Sequence, residues 1–329
     1  MGRLHWVKSR ITGGKMIRTA ESVTPNHPDK ICDRISDAIL TEALRQDPES
    51  RVAIETMGGH NTIVVMGEMT TNAYININEI VKQIVGDKYG VLNNIVKQSN
   101  EIANGVDTGG AGDQGIMIGY ACDENHEMIP HELYLARSLC KYIYYGYEED
   151  GKTQVTIEDG KVTKVVASFC NVPSGILKAK VNQWCDAQGV DAELYINPAG
   201  DWEQGGFDAD TGLTGRKLAC DNYGPRIPIG GGAFSGKDPS KVDRSAAYMA
   251  RYLAVKYLNK NNAKEVFVQL SYAIGVKDPM QATAIVDGIG MQIIEDCSPN
   301  AIIKELKLKE QDYSVVAEWG SFGNGFIWG

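Results

Sequence analysis

The 329-residue sequence predicts an α+β fold with hairpin-linked strands, and three observations carry that prediction. Two strand pairs are joined by tight turns: residues 52–57 with 62–69 across Gly58-Gly59-His60-Asn61, and residues 151–157 with 162–169 across Asp159-Gly160. Amphipathic patterns of helical period stand between the strands, at residues 31–44 and 133–145. Strands and helices do not alternate at the regular spacing of βαβ units, which argues against a doubly wound sheet.

Composition sets the outer bounds. Apolar residues make up 43% of the chain and charged residues 23%, as in an ordinary globular protein, and the length suits two or three subdomains. A net charge of −9 argues against non-specific nucleic-acid binding, although lysines gathered in one pocket would not alter that total. The cysteines (Cys32, Cys122, Cys140, Cys170, Cys185, Cys220, Cys297) are odd in number and scattered, with no C-x-x-C pair. They read as buried thiols of a reducing cytoplasm, not as a disulfide framework or a zinc site. No apolar run approaches the ~20 residues that span a bilayer. Residues 1–15 are basic (Arg3, Lys8, Arg10, Lys15) and lack an acid or an apolar signal core; they are either a cloning remnant or a mobile extension.

Taken in order, residues 16–23 read as a first strand. Pro28 suits the first position of a helix, and Ile31, Ile35, Ala38, Ile39, Ala43 and Leu44 recur at helical spacing until Asp47-Pro48 ends it. His27, Asp29 and Lys30 therefore crowd one helix start, beside its positive dipole end, where a histidine is either structural or catalytic. Glu55 and Glu68 lie in strands that are otherwise apolar; each faces water or needs a cationic partner. Residues 77–85 carry an apolar stripe. Residues 97–115 are rich in turns, ending in Gly109-Gly110-Ala111-Gly112-Asp113-Gln114-Gly115, and read as a lid or an interdomain linker. Residues 176–185 read as a helix and 194–198 as a strand with a stop. Asp208 to Lys217 gathers two acids, two glycines and an Arg-Lys pair, suited to a nucleotide contact or a simple turn. Residues 266–274 alternate as a half-buried strand.

The most informative stretch is Gly230-Gly231-Gly232-Ala233-Phe234-Ser235-Gly236-Lys237-Asp238-Pro239. It predicts a glycine-rich turn running into a helix with Asp238 as N-cap and Pro239 at the first position, continuing to about residue 258. Free N–H groups at such an end favour phosphate, Lys237 and Lys241 add positive charge, and Asp243 offers a carboxylate for a divalent cation bridging phosphate oxygens. Gly231 to Lys237 fits G-x-x-x-x-G-K, but a P-loop needs Ser or Thr where Asp238 stands. The stretch reads as a polyphosphate site, not as a P-loop.

From Met16 onward these motifs together resemble the S-adenosylmethionine synthetase (methionine adenosyltransferase) family. The resemblance rests on Glu21-Ser22-Val23 with His27-Pro28-Asp29-Lys30, on Gly110 to Gly115, on Gly212-Leu213-Thr214-Gly215-Arg216-Lys217, and on Gly230 to Arg244. It implies three similar α+β subdomains around a pseudo-threefold axis: residues 16–100, a lid or linker at 101–115, residues 116–205, and residues 206–329, with the chain interleaving between them. It implies ATP and L-methionine as substrates and Mg²⁺ (two per site) and K⁺ as ions. It also implies a homodimer with active sites at the interface, or a dimer of such dimers, in the cytoplasm. By resemblance, Asp29 and Asp243 are Mg²⁺ ligands and Glu55 the K⁺ residue. His27, Lys152, Arg216 and Lys237 are catalytic. His27, Lys30, Lys152, Arg216, Lys217, Ala233, Lys237 and Lys241 line the triphosphate, and Asp113, Trp202 and Asp210 contact the nucleoside. Glu68, Gln98, Asp210 and Lys241 serve methionine.

The implied chemistry explains these residue types. Methionine sulfur attacks C5′ of ATP in line, needs no general base, and expels the triphosphate, which is then split to pyrophosphate and phosphate. Positioning and stabilisation of charge on the leaving oxygen lower the barrier, so several cations and a metal are needed. Acids suit the cationic sulfonium product. Four departures from the family pattern stand out: Asn26 replaces the glycine before His-Pro-Asp-Lys, the segment after Gln98 is shorter, Trp202 replaces a stacking Phe, and Pro225 to Ile229 replaces a basic lead into the glycines. The last subdomain also looks trimmed after Trp328. The alternatives are a relative with altered methionine-analogue preference and a non-catalytic nucleotide-binding relative.

Overall fold

The computed structural model describes residues 16–98 and 109–329; most of the segment expected as a lid or linker lies outside the described residues. Three four-stranded sheets carry the architecture. The first orders β1 (Ile17–Val23), β6 (Gly151–Glu158), β7 (Lys161–Phe169) and β8 (Glu193–Ile196). The second orders β9 (Gly212–Leu213), β2 (Arg51–Gly59), β3 (Thr62–Thr70) and β4 (Gly90–Val96). The third orders β5 (Gly115–Cys122), β10 (Glu265–Tyr272), β11 (Gln281–Val286) and β12 (Ile289–Gln292).

Each sheet is built on one antiparallel hairpin, β6–β7, β2–β3 or β10–β11, and each hairpin takes an antiparallel neighbour from a distant part of the chain. Thus β1 joins β6, β9 joins β2, and β5 joins β10. In the first two sheets a crossover helix delivers a parallel fourth strand: α4 (Ser174–Gln188) before β8 and α2 (Ile77–Val85) before β4. In the third, β12 follows directly through the Asp287-Gly288 turn and pairs antiparallel. The mixed helices and sheets are those of the expected α+β class.

Helices cover one face of each sheet: α1 (Pro28–Gln46) on β2, α3 (His131–Tyr147) on β1 and β6, and, after the short α5 (Leu218–Asp221), α6 (Val242–Asn261) on β5 and β10. The largest core lies under α1 and α6, with Ile35, Ile39, Val52, Ile54, Val268 and Tyr248 buried together; a second lies under α3 and α4. The period-2 pattern of β2 sends Val52, Ile54 and Thr56 inward and leaves Glu55 and Met57 exposed. Glu68 of β3 is exposed on the same outer face, so neither glutamate is buried.

The third of these helices begins later than the sequence predicts. Val242 is its first residue and Lys241 its cap position, without a side-chain cap bond, so Asp238 and Pro239 lie before it. The Asp238 carboxylate instead accepts the Val52 N–H at 2.7 Å and the Ser240 N–H at 2.9 Å, and pairs with Lys241. Tying the loop to β2 satisfies a buried strand N–H, which outweighs a local cap that water can replace.

Candidate active site

The start of α1 is the pivot of the site. Pro28 occupies the first helical turn, and His27 caps the helix by accepting the Asp29 N–H on Nδ1 at 3.1 Å. That bond leaves the ring proton on Nε2. Burial, together with the positive fields of Lys217 and Lys152, pulls the imidazole down to about 3, so the ring is neutral at physiological pH. Lys152 is exposed at the mouth of β6, opposite Val23 on one side and Ser168 on the other. Trp202 donates its indole N–H to the Ser168 hydroxyl at 3.2 Å, which sets the ring next to Lys152 on the outer face of the first sheet.

Asp29 is fully buried. It accepts the Leu213 N–H at 2.9 Å and pairs with Arg216 at 3.0 Å and Lys217 at 2.5 Å. Burial works against its charge, but the Lys217 and Leu213 bonds outweigh it and hold the carboxyl below the usual range. Asp210 is exposed on the same loop, close enough for its field to act on His27. His27, Asp29, Lys152, Trp202, Asp210, Arg216 and Lys217 thus form a first group.

A second group lies on the loop before α6 and on the edge of β2. Lys237 pairs with Asp243 at 2.6 Å, and its backbone bridges to Ala53, whose cross-strand partner is Glu68. A Cβ on Gly232 would lie 2.1 Å from the Asp243 carboxyl carbon, so only glycine lets the loop pass this close. Ala233 packs against Gly215 of the segment 213–217. Lys241 is held on Asp238, Asp113 is exposed just before β5, and Gln98 follows β4.

Lys30 joins neither group. It faces inward, fully buried, with its ammonium 2.6 Å from Asp221 and 3.4 Å from Asp33. Burial alone would lower its pKa, but Asp221 and Asp33 outweigh that and raise it. Sequence reasoning also passed over Asp33, Asp37 and Ser168. The Asp29-x3-Asp33-x3-Asp37 spacing, which puts three acids on one helix face, was the available signal for the first two.

Among the described residues no group of three or more His, Cys, Asp or Glu side chains could hold a metal ion. Mg²⁺ takes one or two carboxylates and fills its remaining positions with water and phosphate oxygens, so it needs no such cluster. Asp29 and Asp243 are carboxylates of the kind such an ion takes, and each is paired with cations: Asp29 with Arg216 and Lys217, Asp243 with Lys237.

Comparison with known proteins bears on this arrangement. Residues 15–102, 108–202 and 204–329 match the family models for the N-terminal, central and C-terminal domains of S-adenosylmethionine synthetase. An S-adenosylmethionine synthase of Kosmotoga olearia is 42% identical, with 94% of each chain covered. One from Treponema denticola is 40% identical over the same shares. The solved structure of an S-adenosylmethionine synthetase from Campylobacter jejuni superposes with a TM-score of 0.86 at 30% identity, covering 95% of this chain and 96% of that one.

Proposed function

Because the chain belongs to the S-adenosylmethionine synthetase family, with the synthesis of S-adenosylmethionine as its activity, we propose how its residues carry that reaction. The sulfur of L-methionine attacks C5′ of ATP in line, and negative charge grows on the oxygen that leaves with the triphosphate. The observation that carries this reading is the neutral, buried His27, whose Nε2–H is free to donate to that oxygen while Nδ1 is fixed by the helix start. Lys152, Arg216 and Lys217 surround the same point and receive the triphosphate, and Trp202 offers a face for adenine.

Lys237, Lys241 and Ala233 grip the far end of the triphosphate. Glu68, Gln98 and Asp210 serve the amine and carboxylate of methionine, and Asp113 the nucleoside. Asp29 and Asp243 would hold Mg²⁺, two ions per site, and Glu55 would hold K⁺; bound Mg²⁺ supplies neutralisation of phosphate charge. The polyphosphate reading of the glycine-rich loop rests on the Lys237–Asp243 pair, which a phosphate and a metal would share between them.

The working unit is a homodimer. The outer face of the second sheet is apolar and exposed: Met57 keeps 51% and Leu92 62% of its surface, beside Met66, Val96 and Leu213. A patch of this kind supports an interface with a second copy. Glu55 and Glu68 lie on the same face, so that copy's first group would meet this copy's second group. The described residues include no helix long and apolar enough to cross a membrane, and seven unpaired, buried thiols support a reducing cytoplasm. Purified protein given ATP, methionine, Mg²⁺ and K⁺ is expected to form S-adenosylmethionine, pyrophosphate and phosphate. No product above a Lys237→Ala control overturns the reading.

A further inference from the structure

Helix α1 buries three carboxylates spaced four residues apart, and each accepts one backbone N–H from the loops that carry the site's cations. Leu213 donates to Asp29 at 2.9 Å, Gly215 to Asp33 at 2.8 Å, and Gly236 to Asp37 at 2.8 Å. Between them Ser36 meets the Thr214 hydroxyl at 2.9 Å. Asp37 is locked to Arg244 by two further bonds of 2.8 and 2.6 Å. The segment from Leu213 to Gly215 is therefore fastened to α1 residue by residue, immediately before Arg216 and Lys217.

The three anchors differ in what else they hold. Asp29 pairs with Arg216 and Lys217 themselves, so those contacts must be given up, at least in part, when a triphosphate draws the two cations away. Asp33 touches neither cation. Its second oxygen faces Lys30 at 3.4 Å, and that ammonium lies closer to Asp221. Burying a carboxylate this deeply is costly, and burial pushes its carboxyl up to about 7. What the carboxylate secures is Gly215, at φ +81°, where an added Cβ would lie 2.4 Å from the Ala233 Cβ. The residue before the two cations is thus fixed by Asp33 on one side and by the glycine-rich loop on the other.

We propose that Asp33 is a positioning residue: by holding the Gly215 N–H it fixes the pivot from which Arg216 and Lys217 pass between Asp29 and the triphosphate. This rests on the assignment of Arg216 and Lys217 to the triphosphate. Asp33→Asn keeps an oxygen that accepts the Gly215 N–H, whereas Asp33→Ala removes it and leaves Lys30 paired with Asp221.

The test uses the full-length enzyme and reads kcat, KM for methionine, and inhibition of S-adenosylmethionine formation by inorganic triphosphate. Asp33→Ala is expected to lower kcat and raise the triphosphate Ki by about tenfold or more each, with KM for methionine within about threefold. Asp33→Asn is expected to recover most of both. Equal impairment in Ala and Asn, or no change of kcat and Ki in a folded Ala variant, overturns the proposal. If the Ala variant does not fold, Asp33→Thr, whose hydroxyl stops short of Gly215, is read in its place. Lys217→Ala is the control: an unchanged Ki there removes the triphosphate assignment itself, whereas a raised Ki there with none in Asp33→Ala removes the pivot alone.

Discussion

The Nδ1 atom of His27 accepts the backbone N–H of Asp29 at 3.1 Å, so one imidazole both caps α1 and keeps its remaining N–H on Nε2. Loss of the ring should therefore have two separable effects. His27→Ala is expected to lower kcat by about 10²–10³-fold, as for removal of one donor to a developing oxyanion. It should also cost about 1 kcal/mol of stability through the lost cap. His27→Asn restores a cap, so its thermal midpoint should return towards that of the parent while kcat stays low. Parallel melting and initial-rate measurements separate the two effects, and a kcat that recovers along with the midpoint would make His27 only a cap.

The two groups of site residues suggest a complementation experiment. If each site combines the His27 group of one copy with the Lys237 group of the other, His27→Ala and Lys237→Ala damage opposite halves. A mixed dimer then carries one doubly damaged site and one intact site. Unfolding and refolding an equal mixture should restore about a quarter of the parent activity, since half the dimers are mixed and each has one working site. A site built within one chain would give no recovery.

Asp33 gives the chain a pH signature. Its carboxyl is pushed up to about 7 by burial, with one ammonium, Lys30, shared between it and Asp221. The unfolded group titrates near pH 4, so between about pH 4 and 7 the folded chain holds a proton that the unfolded chain releases. The group's contribution to stability is full below about pH 4 and is lost as pH rises through 7. Asp33→Asn removes that dependence. Urea melts at pH 5 and pH 8 should show the parent losing stability relative to Asp33→Asn at the higher pH; a relative gain would contradict the assignment.

Trp202 offers a test of the adenine face. Its indole N–H is held by Ser168 at 3.2 Å, which orients the ring beside Lys152. Trp202→Ala is expected to raise KM for ATP by about 3–10-fold, in line with the worth of one aromatic stack, and Trp202→Phe by less. An unchanged KM for ATP in the Ala variant would place adenine elsewhere.

Much of the fold is legible locally. The hairpin through Asp159-Gly160, the helix from Pro28 to the Asp47-Pro48 stop, and the inward alternation of Val52 and Ile54 all follow from residue spacing and turn chemistry. The residues assembled around His27 stand in recognisable motifs, so their chemical types could be named before their positions were known. The strand β4 and the two-residue β9 were not legible, because their neighbours in the sheet, not their own period, make them strands.

The sequence by itself determined the α+β class, the cluster of His27 and Asp29 at a helix start, and the glycine-rich loop with Lys237 and Asp243. Only the tertiary structure decided which partner each buried charge took. Asp238 could cap a helix locally, but the Val52 N–H, 186 residues away in sequence, claims its carboxylate. Lys30 closes the His27-Pro28-Asp29-Lys30 motif, yet its ammonium turns to Asp221, 191 residues on. Asp33 is one polar position among several on α1, and packing brings Gly215 to it across 182 residues. Spacing along the chain reports which face of an element is buried. It does not report which of several donors reaches that face, because packing of distant segments settles that competition.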